Sequence, residues 1–344
     1  MQKKLRFYIF SFGLFTILIS ITALFIGVYQ FNTPITEHFK NIILMKKITD
    51  ESDAYVLFDL RLPRILMAIL VGSGLAVTGT CLQGIFKNPL ASPDLIGITS
   101  GSILFAAITI VLGHHLYAFL PKFVHYFLLS IMAFIGALLT IWLVYKISTK
   151  NGQTNISLLL LSGVAISALC GAGTGLLTYL STEEELRNLT FWTLGSLAAA
   201  NWYSIAILST ILFFSFLFLL SKGKTLNTML LGEKNATHIG IDIEQSKKQI
   251  ILFSALIVGS IVSFTGTIGF VGLIIPYILR LIFHSNFTYM LPLSAILGAS
   301  LVIIADTLSR TIVAPAEIPI GILTSLMGAP VFISILIQYK KSLS

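Results

Sequence analysis

The stretch RLPRILMAILVGSGLAVTGTCLQGIFKNPLASPDLIG, residues 61–97, decides the fold. From Ile65 to Phe86 it carries no charge, and about 20 such residues are what a helix needs to cross the hydrocarbon of a bilayer. Arg61 and Arg64 open it, three residues apart and so on roughly one helix face. Pro89 and Pro93 close it, because proline removes a backbone donor and restricts the residue before it. The segment reads as one membrane span with a basic anchor at one end and a fixed irregular turn at the other.

The rest of the chain repeats the pattern. Of 344 residues, 56% are hydrophobic and only 10% charged, with a mean hydropathy of +0.93, whereas soluble domains carry about a quarter charged residues. This composition is that of an integral membrane protein, and lipid, which cannot satisfy backbone polar groups, forces its spans to be helical. Cutting the apolar runs at charges, prolines and polar clusters predicts ten spans, near 5–29, 62–86, 95–112, 126–147, 155–180, 203–221, 249–267, 269–283, 291–311 and 318–338. The predicted fold is all-α, a polytopic membrane bundle of ten helices forming a single transmembrane domain over residues 1–344. The first run is too long for a signal peptide and lacks a small-residue cleavage site, so it is expected to be retained. Cys81 and Cys170 fall inside predicted spans and read as small packing residues.

Lysine and arginine favour the cytoplasmic side. With the N-terminus inside, Lys3, Lys4, Arg6, Lys87, Lys146, Lys150, Lys222, Lys224, Lys234, Lys247, Lys248, Arg280, Lys340 and Lys341 fall in inner connections, and both termini are expected to face the cytoplasm. The net charge of +8 reflects this sidedness and does not point to nucleic acid. A weak internal repeat fits the even count: residues 71–89 and 258–276 align at a constant offset and share VGS, TGT and the final proline. Starting on opposite sides of the membrane, they suggest an inverted repeat of spans 2–5 and 7–10.

On this topology Arg61, Arg64 and Arg310 reach the outer face, where they could clamp carboxylates of a partner or snorkel to lipid headgroups. Asp306, four residues before Arg310, is expected to pair with it, and Glu317 suits the positive end of the last helix. The turn at 87–93 reads as a constriction on a pathway or as an ordinary loop. SGVAISALCGAGTGLL, 162–177, has the small residues that let helices approach closely in lipid. Phe191 and Trp192 could meet a flat ligand or anchor the interface, and His114 and His115 read as loop histidines. SKGKT, 221–225, has no glycine at 218 and follows a span, so it is not a phosphate-binding loop. No metal-ligand cluster and no catalytic constellation is legible, and among intramembrane groups only Asp306 could serve an ion-coupled transporter, the rival class.

The 61–97 stretch, together with LLGEKNATHIGI (230–241), GTIGFVGLIIPYILRLI (266–282) and ADTLSRTIVAPAEIPIGILTSLMGAPVFI (305–333), resembles the permease subunits of bacterial ABC importers for iron complexes and cobalamin. The likeness runs from Arg61 to the C-terminus, with Tyr277 standing where the family often has histidine. It implies a homodimer in the bacterial inner membrane, two cytoplasmic ATPase subunits that hold ATP and Mg while this chain binds no cofactor, and an extracytoplasmic substrate-binding protein. By resemblance, Arg61, Arg64 and Arg310 would receive acidic residues of that binding protein. Asn88 and Leu90 would belong to the cytoplasmic gate, with Thr154 and Ser157 near a second inner constriction. Within an inner coupling loop at about 222–248, Leu231, Gly232, Glu233, Ala236, Ile239 and Gly240 would fit an ATPase groove. The segment EELRNLTFWTLGSL, 184–197, looks most like haem permeases, so haem or a ferric siderophore is the expected cargo and cobalamin the alternative.

Overall fold

The computed structural model describes residues 2–34, 37, 40–41, 50–117 and 121–343. Its principal helices are α1 (Gln2–Phe25), α2 (Glu51–Phe86), α3 (Ile98–Tyr117), α4 (Leu128–Ser148), α5 (Ile156–Leu180), α6 (Glu183–Leu194), α7 (Trp202–Ser221), α8 (Gly223–Leu230), α9 (Glu233–His238), α10 (Ile243–Thr265), α11 (Val271–Phe283), α12 (Phe287–Ser309) and α13 (Ile320–Leu343). Every predicted span is a helix. Eight are long and apolar enough to cross a membrane, whereas the apolar parts of α3 and α11, Ile98–Gly113 and Val271–Phe283, are shorter.

Helix α2 is the hub. It packs antiparallel to α12, and a Cβ on Gly72 would overlap the Gly298 carbonyl. One turn pair further along, a Cβ on Gly79 would overlap the Gly272 carbonyl of α11. With side chains absent at these crossings the backbones touch, and dispersion and buried hydroxyl bonds hold the helices where lipid gives no hydrophobic drive. The Thr80 and Ser294 hydroxyls meet at 2.7 Å, and the Thr16 and Ser300 hydroxyls join α1 to α12 at 2.8 Å. Helix α1 otherwise faces outward, with Phe7, Phe10 and Ile17 exposed.

The structure corrects one expectation and adds two details to the helical bundle. The second span does not begin at 62: its helix starts at Glu51, capped by Asp50, and passes through one wider π-turn over Val56–Arg61. Arg61 and Arg64 therefore lie within a long helix, not at its tip. The aligned stretches 71–89 and 258–276 differ in form, since the first is unbroken helix to Phe86 and the second crosses the non-helical link between α10 and α11. The chain is also not wholly helical, because Asn151 and Gly152, both at positive φ (52° and 77°), turn a two-residue hairpin between β1 (Thr149–Lys150) and β2 (Gln153–Thr154).

Three breaks meet at one knot. The Ser196 N–H donates to the Thr265 carbonyl at 2.8 Å, the Thr267 hydroxyl to the Thr193 carbonyl, and the Ile320 N–H to the Gly195 carbonyl at 3.1 Å. Each break thus satisfies the others' backbone, which is how irregular chain survives within a bundle.

Contacts sort the loops into two ends. Antiparallel packing places Arg64 beside Asp306 in the N-terminal half of α2, and Gly84 beside Leu226 and Phe287 at its C-terminal end. The hairpin and the loop from Ser221 to Asp242 share the second end with the 87–93 turn, and Tyr8 of α1 stacks there edge-on against Phe283. Residues near the N-terminus therefore lie at the end that carries the hairpin.

Candidate functional site

At the first end the three arginines come together, and all three are already engaged. Arg64 Nε donates to both oxygens of Asp306 (2.8 and 3.1 Å), while its Nη atoms form a two-pronged pair with Glu317 (2.8 and 3.0 Å). Arg310 donates to the Ala23 carbonyl and stands 3.8 Å from Asp306. Arg61 donates to the Leu24 and Tyr29 carbonyls and lies over the Phe31 ring at 4.8 Å. Arg61 and Arg310 are each only 6% exposed. Asp306 therefore pairs more tightly with Arg64 than with its helical neighbour Arg310, and Glu317 is an ion-pair partner before it is a helix-end charge.

The strap after α1 completes this end. Asp53, fully buried, accepts from the Tyr29 hydroxyl and from the Asn32 and Thr33 backbone. That bond to a carboxylate pushes the Tyr29 phenol above its ordinary pKa, and the Asn32 amide holds Asp50 below the usual carboxylate range. Glu317, 40% exposed on its side chain, is the partly open acidic group of the cluster.

At the second end Lys87 caps α2 in a left-handed conformation, Asn88 Oδ1 accepts from the Leu90 N–H at 2.9 Å, and Pro93–Ile96 form a 3-10 turn. Asn88 is exposed and Leu90 half-buried. Thr154 is buried, and Ser157, one turn into α5, is exposed. Helix α9 is bounded by Gly232 (φ 111°) and Gly240 (φ 87°), conformations that a side chain would strain. Ala236 is its buried foot, while Leu231 and Ile239, each 67% exposed, flank it with bare apolar surface. Glu233 does not project freely: Lys247 binds it at 2.9 Å and also binds Glu244 at 3.0 Å.

Between these ends a cavity of about 700 Å³ runs beside the knot, lined by Leu75, Val262, Ile268, Phe270, Leu273 and Leu326, with Asp94, Thr99, Thr193 and Thr267 as its polar points. Asp94 accepts from the Thr99 hydroxyl at 2.6 Å. Among the described residues no group of His, Cys, Asp and Glu is placed to hold a metal. The side chains of His114 and His115 lie outside the described residues.

Residues 14–338 match the model of the FecCD transport family. The chain belongs to the FecCD transport family. It is similar to the hemin transport system permease HmuU of Yersinia pestis, 39% identical over 86% of this chain and 87% of that one. The vitamin B12 permease BtuC of Yersinia pseudotuberculosis is 36% identical over 84% of each chain, and the molybdate permease MolB of Haemophilus influenzae 36% identical over 97% and 96%. A solved structure described as an inward-facing metal-chelate type ABC transporter superposes with a TM-score of 0.82 at 34% identity, covering 96% of this chain and 98% of that one.

For a FecCD permease, the open face of α5 is the remaining feature. Leu161, Leu169 and Leu176 are exposed, and added side chains at Gly171 and Gly175 would meet nothing. Three residues that contribute to the two ends were not singled out from the sequence. The sequence reading gives Glu317 only a helix-end role, counts Lys247 only as an inner-side charge and passes over Glu244, although the i,i+3 spacing of Glu244 and Lys247 is a readable pairing signal.

Proposed function

We propose that this FecCD permease is one half of a homodimer that passes an iron complex, haem first, from a docked binding protein into the cytoplasm, with ATP and Mg held by separate ATPase subunits. The observation that carries the reading is the division of labour between the two ends of one bundle. One end gathers three guanidiniums, Arg64 and Arg310 at Asp306, Arg64 also on Glu317, and Arg61 on the carbonyls of the strap; the other presents α9 with bare Leu231 and Ile239 beside the 87–93 turn and the hairpin. Lysine and arginine weight puts the second end, and with it both termini, in the cytoplasm. Docking belongs to the Arg61, Arg64 and Arg310 end. ATPase coupling belongs to Leu231, Gly232, Glu233, Ala236, Ile239 and Gly240, and gating to Asn88, Leu90, Thr154 and Ser157.

The largely apolar lining of the 700 Å³ cavity favours a macrocycle over a hydrated oxyanion, which would have to shed its water against Leu75, Ile268 and Phe270. The likeness to a hemin permease supports the same choice, and the likeness to B12 permeases keeps cobalamin as the second reading. An ion-coupled carrier fits less well, since Asp306 is held between two guanidiniums and is not a free proton carrier. Uptake by vesicles reconstituted with the cognate partners, offered haem, a ferric siderophore, cobalamin and molybdate in parallel, tests the cargo. Haem transport is expected; preferential molybdate uptake would contradict the assignment.

A further inference from the structure

We propose that Lys247 is a positioning residue that ties α9 to the β1–β2 hairpin, so that movement of the ATPase-facing helix is carried to the inner gate. This deepens the reading of α9 and Thr154 given above and rests on it. The link consists of three short contacts, of which one lies within α10 and one joins residues 90 positions apart. Glu233 of α9 meets Lys247 Nζ at 2.9 Å, Lys247 meets Glu244 at 3.0 Å, and the second oxygen of Glu244 accepts the Thr154 N–H at 2.7 Å.

Burial makes the link stiff. The Lys247 side chain is 3% exposed, and an ammonium so enclosed cannot leave its carboxylates without standing unpaired away from water. Glu233 and Glu244 sit at the rim, 47% and 31% exposed, so the lysine is the enclosed centre of the chain of contacts. Charge-assisted bonds of this kind are short and directional, so a displacement of α9 acts through Lys247 on α10, the helix that also carries Glu244. The hairpin then moves at Thr154. The next residue, Asn155, caps α5 by accepting the Leu158 N–H at 3.0 Å, so the same shift reaches the start of the helix that carries Ser157.

Room for such movement is present. A polar cleft of about 980 Å³ separates the hairpin from α9, with Lys150, Asn151 and Gln153 on one wall and Lys234, Thr237 and Gly240 on the other. Lys150, Lys234 and Asp242 are the other charged groups facing it. Lys247 and its two carboxylates bridge the cleft, and an element tied in this way has to move with its neighbour.

The test uses the full permease with its ATPase subunits and binding protein in vesicles, reading cargo transported per ATP hydrolysed. Lys247→Met is expected to lower that ratio at least about fivefold, the lower bound of a typical coupling between sites, while the ATPase subunits still copurify and hydrolyse ATP. Lys247→Arg should restore most of the ratio, which a purely structural loss would not predict. If Lys247→Met fails to assemble, Glu244→Ala carries the test, since it lies at the rim and leaves the Lys247–Glu233 pair in place. An unchanged ratio in assembled Lys247→Met or Glu244→Ala complexes overturns the link. Leu231→Arg with Ile239→Arg separates the two readings: if these uncouple and Lys247→Met does not, the link alone fails; if these also leave coupling intact, the role of α9 fails.

Discussion

At the residue scale, Arg64 explains both what the sequence told and what it withheld. The identities and spacing of Arg61, Arg64 and Arg310 marked one face of the molecule. Their partners were hidden, because Leu24, Tyr29 and Phe31 come from a stretch with no motif and Glu317 lies far along the chain. Removing Arg64 leaves Asp306 without its main partner, and breaking a buried pair costs about 3–5 kcal/mol. Charge reversal at Arg61 and Arg64 should therefore lower thermal stability as well as docking, a loss measured by unfolding in detergent. Glu317→Gln is the cleaner probe. It releases the Arg64 fork for a partner's carboxylate at little cost to burial, and docking affinity should rise by roughly fivefold, the worth of about 1 kcal/mol for a surface charge pair. Titration of the binding protein against Glu317→Gln, with Glu184→Gln as an equal change of net charge elsewhere, reads this; equal affinities for the two would count against the fork as the docking group.

At the element scale, helix existence was legible and helix limits were not. Apolar run length found every span, but the start of α2 at Glu51 depends on the Asp50 cap and on contacts with the strap, which hydropathy does not register. The break between α10 and α11 lies in the apolar sequence 265–271 and is stabilised by hydrogen bonds from 193–196 and 320, partners remote in the chain. Helix α9 was legible because glycine at 232 and 240 is required by backbone conformation, a local property. Two outcomes follow from these packings. Gly79→Ala forces a methyl group onto the Gly272 carbonyl and should destabilise the bundle by about 1–3 kcal/mol, visible as a lower unfolding temperature. Leu231→Asp with Ile239→Asp, both exposed, should leave that temperature unchanged while reducing ATPase copurification.

At the scale of the whole molecule, the small residues of 162–177 read as a close-packing face, and the chain covers part of it, Gly163 packing against Leu95, while Gly171 and Gly175 stay uncovered. A second copy is the occupant that the homodimer reading assigns to it. A Cβ at Gly171 meets nothing within 4 Å in the isolated chain, so Gly171→Trp, pointing into that open space, should leave the fold intact and shift the purified protein from dimer to monomer in light scattering. A dimer of unaltered stability would place the interface elsewhere.

The most direct measurement of the central claim is haem uptake into sealed vesicles holding this permease and its ATPase subunits, with binding protein outside and nucleotide inside. Uptake that requires ATP and survives collapse of the proton and sodium gradients is predicted. Uptake by the permease alone, driven by an ion gradient and indifferent to ATP, would contradict it.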